Sequence, residues 1–393
     1  MTTNLISDEL SVPWRSRTVQ AVLSSTLLAP FSVTLISPGL PVYRRAFGVT
    51  DAEASLLLSA VLIPGVVLSP VAGLLADRLG RRRVLVASLL VWSVTGAAVT
   101  LRPAFWSVVA LRLAQGAALA GIIVTTISLI GDSFEGVRRN AVLGINAAVL
   151  SAGAAVYPLV GGALVVVAWN APFALYLLGL PVAFFAARVL DEPLLERRTR
   201  SLAYLRRVVT ALSAKDAAVL YGSALVIELL LFGAMFTGLP FLLAGTYGLS
   251  PLRIGLVVTV SEVASMVTAT QNGRLAARFS DERIIAVGFV VAAAGLVGAW
   301  VAPTPLFLTA AMVGFGGGWG LTLPSIDAGV SDLVPAQFRA GALSFRGSAT
   351  FLGRALGPLL FAGIGLRTGY RPLFLFGGVG AFAFGAALLA ATR

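Results

Sequence analysis

The chain contains no cysteine and no histidine. The first absence excludes disulfides, thiolate catalysis and cysteine-ligated metals; the second removes the commonest metal ligand and the side chain that most often titrates near neutrality. Charge is scarce as well, only 12% of 393 residues. Without thiols or imidazoles no nucleophile or metal constellation assembles, so neither an enzyme nor a cofactor is expected. A phosphate loop of the form G-x-x-x-x-G-K followed by Ser or Thr is also missing, which argues against an ATP-driven pump within this chain. Any proton chemistry falls to carboxylates, assisted by Arg or Tyr.

What fills the space is apolar: 58% of residues are hydrophobic and the mean hydropathy is +0.93. A water-soluble core does not account for that content. Apolar runs of about 20 residues, each long enough to cross roughly 30 Å of hydrocarbon, recur along almost the whole sequence. They predict helices at about 18–41, 52–76, 83–101, 104–131, 139–167, 171–190, 216–244, 252–278, 283–302, 305–330, 340–366 and 371–391. The first run is too long for a signal-peptide core and lacks a convincing cleavage site, so it reads as an uncleaved first span.

Twelve spans place both termini on one side. Roughly 20 of the 29 Lys and Arg then fall on that side, against about six opposite and three within spans, so that side is expected to be the cytoplasm. The formal charge of +12 accordingly reads as basic loops facing anionic headgroups of the plasma membrane, and no nucleic-acid partner is expected. The longest polar stretch, from about Asp191 to Lys215, reads as a cytoplasmic linker with a short amphipathic helix carrying Arg206 and Arg207. It divides the chain into an N-terminal six-helix bundle (1–190), the linker (191–215) and a C-terminal six-helix bundle (216–393).

The two halves repeat one another. A shift of about 200 positions aligns Gly73 with Gly273, Arg78 with Arg278 and Arg83 with Arg283, and the register holds to Asp132 with Asp332, Arg139 with Arg339, Gly153 with Gly353 and Pro158 with Pro358. Charged, Gly and Pro landmarks kept in one register across three regions are not a product of composition. Parallel repeats of six helices enclose a site near the midplane that rocking exposes to each side in turn, which suits a transporter better than a receptor or a channel.

Between the second and third spans stands GLLADRLGRRRVL, with Gly73, Asp77, Arg78, Gly80, Arg81 and Arg82. It resembles the signature of the major facilitator superfamily. Gly73 and Gly80 suit close packing and a tight turn. Asp77 is placed to meet the positive N-terminal end of a helix from the other half, span 11 near Arg339, and Arg81 or Arg82 to pair with Asp132. Together these would latch the cytoplasmic side; topology enforcement by the basic run is the competing reading. In the second half Ala277 and Ser280 replace the Asp and the Gly, so the mirror latch is degraded.

Span 4 carries LRLAQGAALAG, where Arg112, Gln115 and Gly116 resemble the second motif of proton-coupled members. Arg112 is expected as a cavity charge that lowers the proton affinity of a nearby carboxylate or holds an anionic group, with an Arg satisfied by backbone carbonyls near the outer half of the cavity as the competing reading. Span 5 holds GAAVYPLVGG, similar to the antiporter motif of drug/proton exchangers through Gly153, Pro158, Gly161 and Gly162, with Tyr157 where a Gly is usual; Gly357 and Pro358 are the second-half counterpart. A kinked, small-residue helix fits the interface that opens and closes, with span 8 as the expected partner. The first span ends in SPGLPVY, again similar to the drug/proton antiporter branch. The resemblance covers the full length and implies an all-α fold of two pseudo-symmetric six-helix bundles, working as a monomer.

The remaining charges inside spans are Glu228, Glu262, Asp327, Arg346 and Arg354. Each is costly in lipid and is expected to face the cavity or a partner. Glu228 and Glu262 near mid-membrane are the candidates for a protonatable coupling site, weighed evenly against a plain buried ion pair. Arg354 is placed as a counter-ion to one of them, and Arg346 as a structural partner of Asp327. Phe31, Gln115, Asn146, Phe232, Phe236, Gln271 and Trp319 are candidate cavity walls. An aromatic wall with few polar groups suits an amphipathic compound. The leading expectation is a secondary transporter exporting a small organic molecule against protons. Its rival is a proton symporter or facilitator importing a nutrient such as a sugar or organic acid, and a non-transporting membrane sensor is the alternative from another class.

Overall fold

The computed structural model describes residues 12–191, 202–212 and 214–391, and these are helical almost throughout. Among the described residues twelve helices are long and apolar enough to cross a membrane: α1 Arg17–Phe47, α2 Asp51–Ser69, α3 Arg81–Leu101, α4 Phe105–Ser133, α5 Gly136–Val167, α6 Ala171–Val189, α7 Lys215–Tyr247, α8 Pro251–Ala276, α9 Asp281–Val301, α10 Pro305–Asp332, α11 Arg339–Thr368 and α12 Tyr370–Ala390. The helix that contains α2 continues to Leu79. Helices are the expected solution because lipid offers the backbone no hydrogen-bond partner. Their boundaries sit where the chain supplies caps and breakers. Thr50 and Glu53 form a reciprocal capping box that starts α2. Gly80, at φ 95°, makes the turn into α3.

Both ends of the bundle can be named without reference to a membrane: the terminal face, where α1 begins and α12 ends, and the distal face opposite. Within the first half α4 packs on α2 and α3, and within the second α10 packs on α8 and α9. The two arrangements share one register. Gly116 of α4 lies so close to the Val61 carbonyl of α2 that a β-carbon has no room, and Gly316 of α10 stands in the same relation to Ser261 of α8, each partner displaced by 200 positions. Small residues are how membrane helices approach closely enough for dispersion to hold them.

Between the halves, α2 lies against α11 and α5 against α8. The α5–α8 seam is backbone against backbone. Gly162 abuts the Pro251 carbonyl and Gly255 abuts the Pro158 carbonyl, reciprocally. The linker helix Leu202–Ala211 docks on the start of α11, where Val208 and Tyr204 cover Gly341. Arg206 and Arg207 are exposed on it.

Among the described residues three spans depart from regular α-helix in their interior: α6 tightens to a 3-10 turn at Leu175–Leu178, and α1 and α7 are broken more deeply, both beside proline. In α1 the regular helix stops at Leu28 and resumes at Leu40, across Pro30, Pro38 and Gly39. In α7 the segment Leu231–Gly238 winds as a π-helix. Pro240 has no N–H to offer the Phe236 carbonyl, and the Ser37 hydroxyl of α1 donates to that oxygen instead, at 2.6 Å. A helix defect in one half is thereby satisfied by the other.

Candidate transport site

Three of the charges inside the spans of the second half, Glu228, Glu262 and Arg354, form one cluster. Arg354 of α11 donates from Nε and Nη2 to the two carboxylate oxygens of Glu228 on α7, each at 2.9 Å, a fork-to-fork pair. Glu228 is fully buried while the Arg354 side chain is 25% exposed, so the pair has a dry end and a wet end. The guanidinium also lies over the Phe232 ring, 5.2 Å from its centroid. Glu262 of α8 is buried, within electrostatic reach of both Glu228 and Arg354, and its Oε1 has no hydrogen-bond partner among the described residues. Two carboxylates and one guanidinium carry a net charge of −1 into the bundle, and one proton balances it.

Closer to the terminal face, Asp327 of α10 and Arg346 of α11 form a second pair, with Arg346 also donating to Thr350 at 3.2 Å. The two pairs line the same side of α11, eight residues apart.

Of the two readings of Arg112 on α4, the geometry matches satisfaction by backbone carbonyls and not the tuning of a carboxylate. Its side chain is fully buried, and the guanidinium donates to the carbonyls of Leu57 and Ser32, to the side-chain carbonyl of Gln115 and to the hydroxyl of Tyr176. No carboxylate is among these partners. The Ser32 and Phe31 carbonyls belong to the broken stretch of α1; Tyr176 donates to the Phe31 carbonyl at 2.9 Å, and Trp92 to the Ser32 hydroxyl at 2.9 Å. The proline-induced break frees acceptors, and Arg112 with α3 and α6 supplies donors for them. The site is a structural hub of the first half.

The same hub removes two residues from the expected cavity wall. Gln115 is fully buried, its amide spent on Arg112 and on the Trp92 carbonyl. Phe31 is buried among Trp92, Tyr157 and Tyr176. Asn146 of α5 is buried too, accepting from Thr26 at 2.6 Å. Phe232 and Phe236 pack edge to face at 5.1 Å inside the π-helical turn, both buried. Of these, Phe232 alone is joined to the charge cluster.

At the terminal face, Arg81 pairs with Asp132 and donates to the Ser128 carbonyl at 2.8 Å, while Arg82 donates to the Ala187 carbonyl of α6. Arg78 is exposed. Gly73 and Asp77 belong to the α2 helix, but their side-chain surroundings lie outside the described residues, so the contact expected between Asp77 and α11 is not described. The α5 motif is shared out among neighbours: Pro158 and Gly162 face α8, whereas Gly153 lies against Pro30 and Leu27 of α1, and Gly161 against Leu35. Gly357 faces Leu229 and Gly233 of α7 within the second half, next to the buried Pro358. The expectation that the whole motif forms the inter-half surface is therefore corrected: half of it seats α1, whose broken backbone needs small neighbours.

Sequence reasoning missed the distal seam. Asp51, at the first turn of α2, accepts from Arg44 of α1 at 2.8 Å and from Tyr370 of α12 at 2.7 Å, tying the halves together beside the Ser37 bond. Ser59 of α2 adds a bond to the Ala355 carbonyl of α11 at 2.8 Å. The one available signal was Pro240, four residues beyond a carbonyl that then needs a foreign donor.

The profile of the Major Facilitator Superfamily matches residues 22–244 and 221–393. Among similar proteins, the bacillibactin exporter of Bacillus subtilis is 25% identical over 368 residues, 88% of this chain and 90% of that one. The multidrug resistance protein MdtG of Serratia proteamaculans is 27% identical over 378 residues, 92% of this chain and 90% of that one. Among solved structures, a variant of the nucleoside transporter NupG superposes with TM-score 0.79 at 13% identity, covering 96% of this chain and 99% of its own. A bacterial homolog of the lysosomal transporter Spinster, inward-facing and unoccupied, gives 0.76 at 16% identity, covering 97% and 96%. Repeat, twelve spans and full-length match agree: the chain belongs to the Major Facilitator Superfamily, and it is a multi-pass membrane transporter of small molecules and not an enzyme.

Proposed function

We propose that this transporter exports an amphipathic organic molecule in exchange for protons, with both termini in the cytoplasm. The observation that carries the reading is the cluster of Glu228, Glu262 and Arg354: the guanidinium is forked to Glu228, Glu262 is buried within electrostatic reach of both, and one carboxylate oxygen of Glu262 has no hydrogen-bond partner among the described residues. A buried carboxylate that lacks its own counter-ion is costly unless it binds a proton or captures the cation of its neighbour. The uncompensated charge of the cluster is balanced either by a proton on Glu262 or by a positive group on a substrate beside the Phe232 ring, and that mutual exclusion is the requirement of exchange. The names of the relatives, one an exporter and one a multidrug resistance protein, favour efflux. The excess of Lys and Arg on the terminal face supports its assignment to the cytoplasm.

In this arrangement Ser37, Asp51 and Ser59 hold the distal seam together. Asp77 with Arg78, Arg81 and Arg82 would latch the terminal side in the opposite state. The deciding experiment is proteoliposome flux with a pH-gradient readout across a panel of amphipathic dyes. Exchange requires dye and protons to move in opposite directions; parallel movement would establish symport and reject the proposal, as would the absence of any flux.

A further inference from the structure

The lipid-facing surface between α3 and α6 is not closed by side chains. Val86 and Leu90 on α3 and Leu180, Pro181, Ala183, Phe184 and Ala187 on α6 border a groove of about 600 Å³. Every wall is apolar. Ala183 is buried at the floor of the hollow, Ala187 stops short where a larger residue would meet Leu90, and in hydrocarbon no hydrophobic drive pulls the helices together to close it. From Leu180 to Ala187 the groove runs seven residues along α6, roughly 10 Å at 1.5 Å per residue. That length takes a segment of one acyl chain.

One end of the groove is charged. It opens where α3 begins and α6 ends, at the terminal face. Arg82 is anchored there by its bond to the Ala187 carbonyl, the Arg188 guanidinium lies over the Phe184 ring at 4.4 Å, and Arg83, the next residue on the first turn of α3, is exposed. Asp191 follows three residues after Arg188, and among the described residues Arg82, Arg83 and Arg188 outnumber it by two charges. A guanidinium has five N–H donors, and Arg82 spends one on Ala187. The remaining donors form the fork that recognises a phosphate.

We propose that this groove is a binding site for one anionic phospholipid, its acyl chain along Ala183 and Ala187 and its phosphate between Arg82, Arg83 and Arg188. A zwitterionic lipid fills the same hollow but carries a cation toward the arginine rim, so the site selects by headgroup charge. The inference does not depend on the direction of transport or on proton coupling.

The test is native mass spectrometry of the full chain in neutral detergent, offered equal amounts of phosphatidylglycerol and phosphatidylcholine with identical acyl chains. The native chain is expected to retain phosphatidylglycerol at least about tenfold over phosphatidylcholine. Arg188→Gln should lower that retention by roughly fivefold, the share of one arginine near an anionic headgroup. Ala187→Leu should lower it as well, although every arginine remains, because the tail has lost its seat. If Ala187→Leu fails to insert, Leu90→Trp fills the groove from the opposite wall and gives the same readout. Equal retention of the two lipids by the native chain overturns the proposal. So does native phosphatidylglycerol binding in the filled-groove variant, which would leave only a surface charge effect.

Discussion

Replacing Arg112 by lysine keeps the charge and removes the geometry, and so separates two accounts of this residue. The guanidinium serves four acceptors at once: the Leu57 and Ser32 carbonyls, Gln115 and Tyr176. A lysine ammonium is a single point with three donors and cannot span acceptors on α1, α2, α4 and α6 together. With two of the four left unsatisfied in a dry interior, at about 1–3 kcal/mol each, Arg112→Lys should cost about 2–6 kcal/mol. Unfolding by sodium dodecyl sulfate, followed through tryptophan fluorescence, reads the loss directly, since Trp92 bonds to Ser32 in the same hub. Flux per folded molecule should stay close to native, because the residue reaches no cavity and pairs with no carboxylate. An Arg112→Lys chain that unfolds like the native one yet loses proton-driven transport would refute the structural assignment.

Other variants address the seam and the charge cluster. Ser37→Ala leaves the Phe236 carbonyl without a donor, because Pro240 offers none; at about 1–3 kcal/mol the distal-closed state should lose roughly 5- to 150-fold in population. Since the native chain has no cysteine, paired spin labels introduced across the distal face report that shift directly, and an unchanged distance distribution would contradict it. Glu262→Gln should abolish uphill, proton-driven transport while sparing downhill exchange; unaltered pH dependence removes Glu262 from the coupling scheme. Glu228→Ala strands Arg354 in a largely buried position and should cost about 3–5 kcal/mol of stability, whereas Glu228→Ala combined with Arg354→Met should recover much of it. Asp77→Asn should impair transport without affecting membrane insertion, and full activity in flux assays would dismiss the latch.

The spans were readable because hydrocarbon imposes a length of about 20 apolar residues on each. The pairing of Asp327 with Arg346, and of Arg354 with one of Glu228 and Glu262, was readable for a related reason: a lone charge in lipid is so costly that a partner is expected within reach. The approach of α5 to α8 followed from Pro158 and its small neighbours. Other features depended on backbone defects, which sequence periodicity does not register. The surroundings of Arg112 are set by carbonyls that α1 releases some 80 positions earlier, at Ser32. Similarly, Ser37 has no pattern of its own; it matters because of a missing N–H at Pro240 in the other half. Phe31 and Gln115 were assigned to a wall because aromatic and amide groups suit one, but the donors and acceptors freed by the α1 break claimed them first.

The reciprocal meeting of Gly162 with Pro251 and of Gly255 with Pro158 has a mechanical consequence. Two main chains in direct touch hold a fixed separation while leaving the angle between them free, as a pivot pin does. With no side chains interlocked at that point, tilting one bundle demands no rotamer changes there, and resistance to the swing must come from the hydrogen bonds farther out. A single added methyl group on either glycine would act as a wedge, changing where the axle sits and how far the swing can travel.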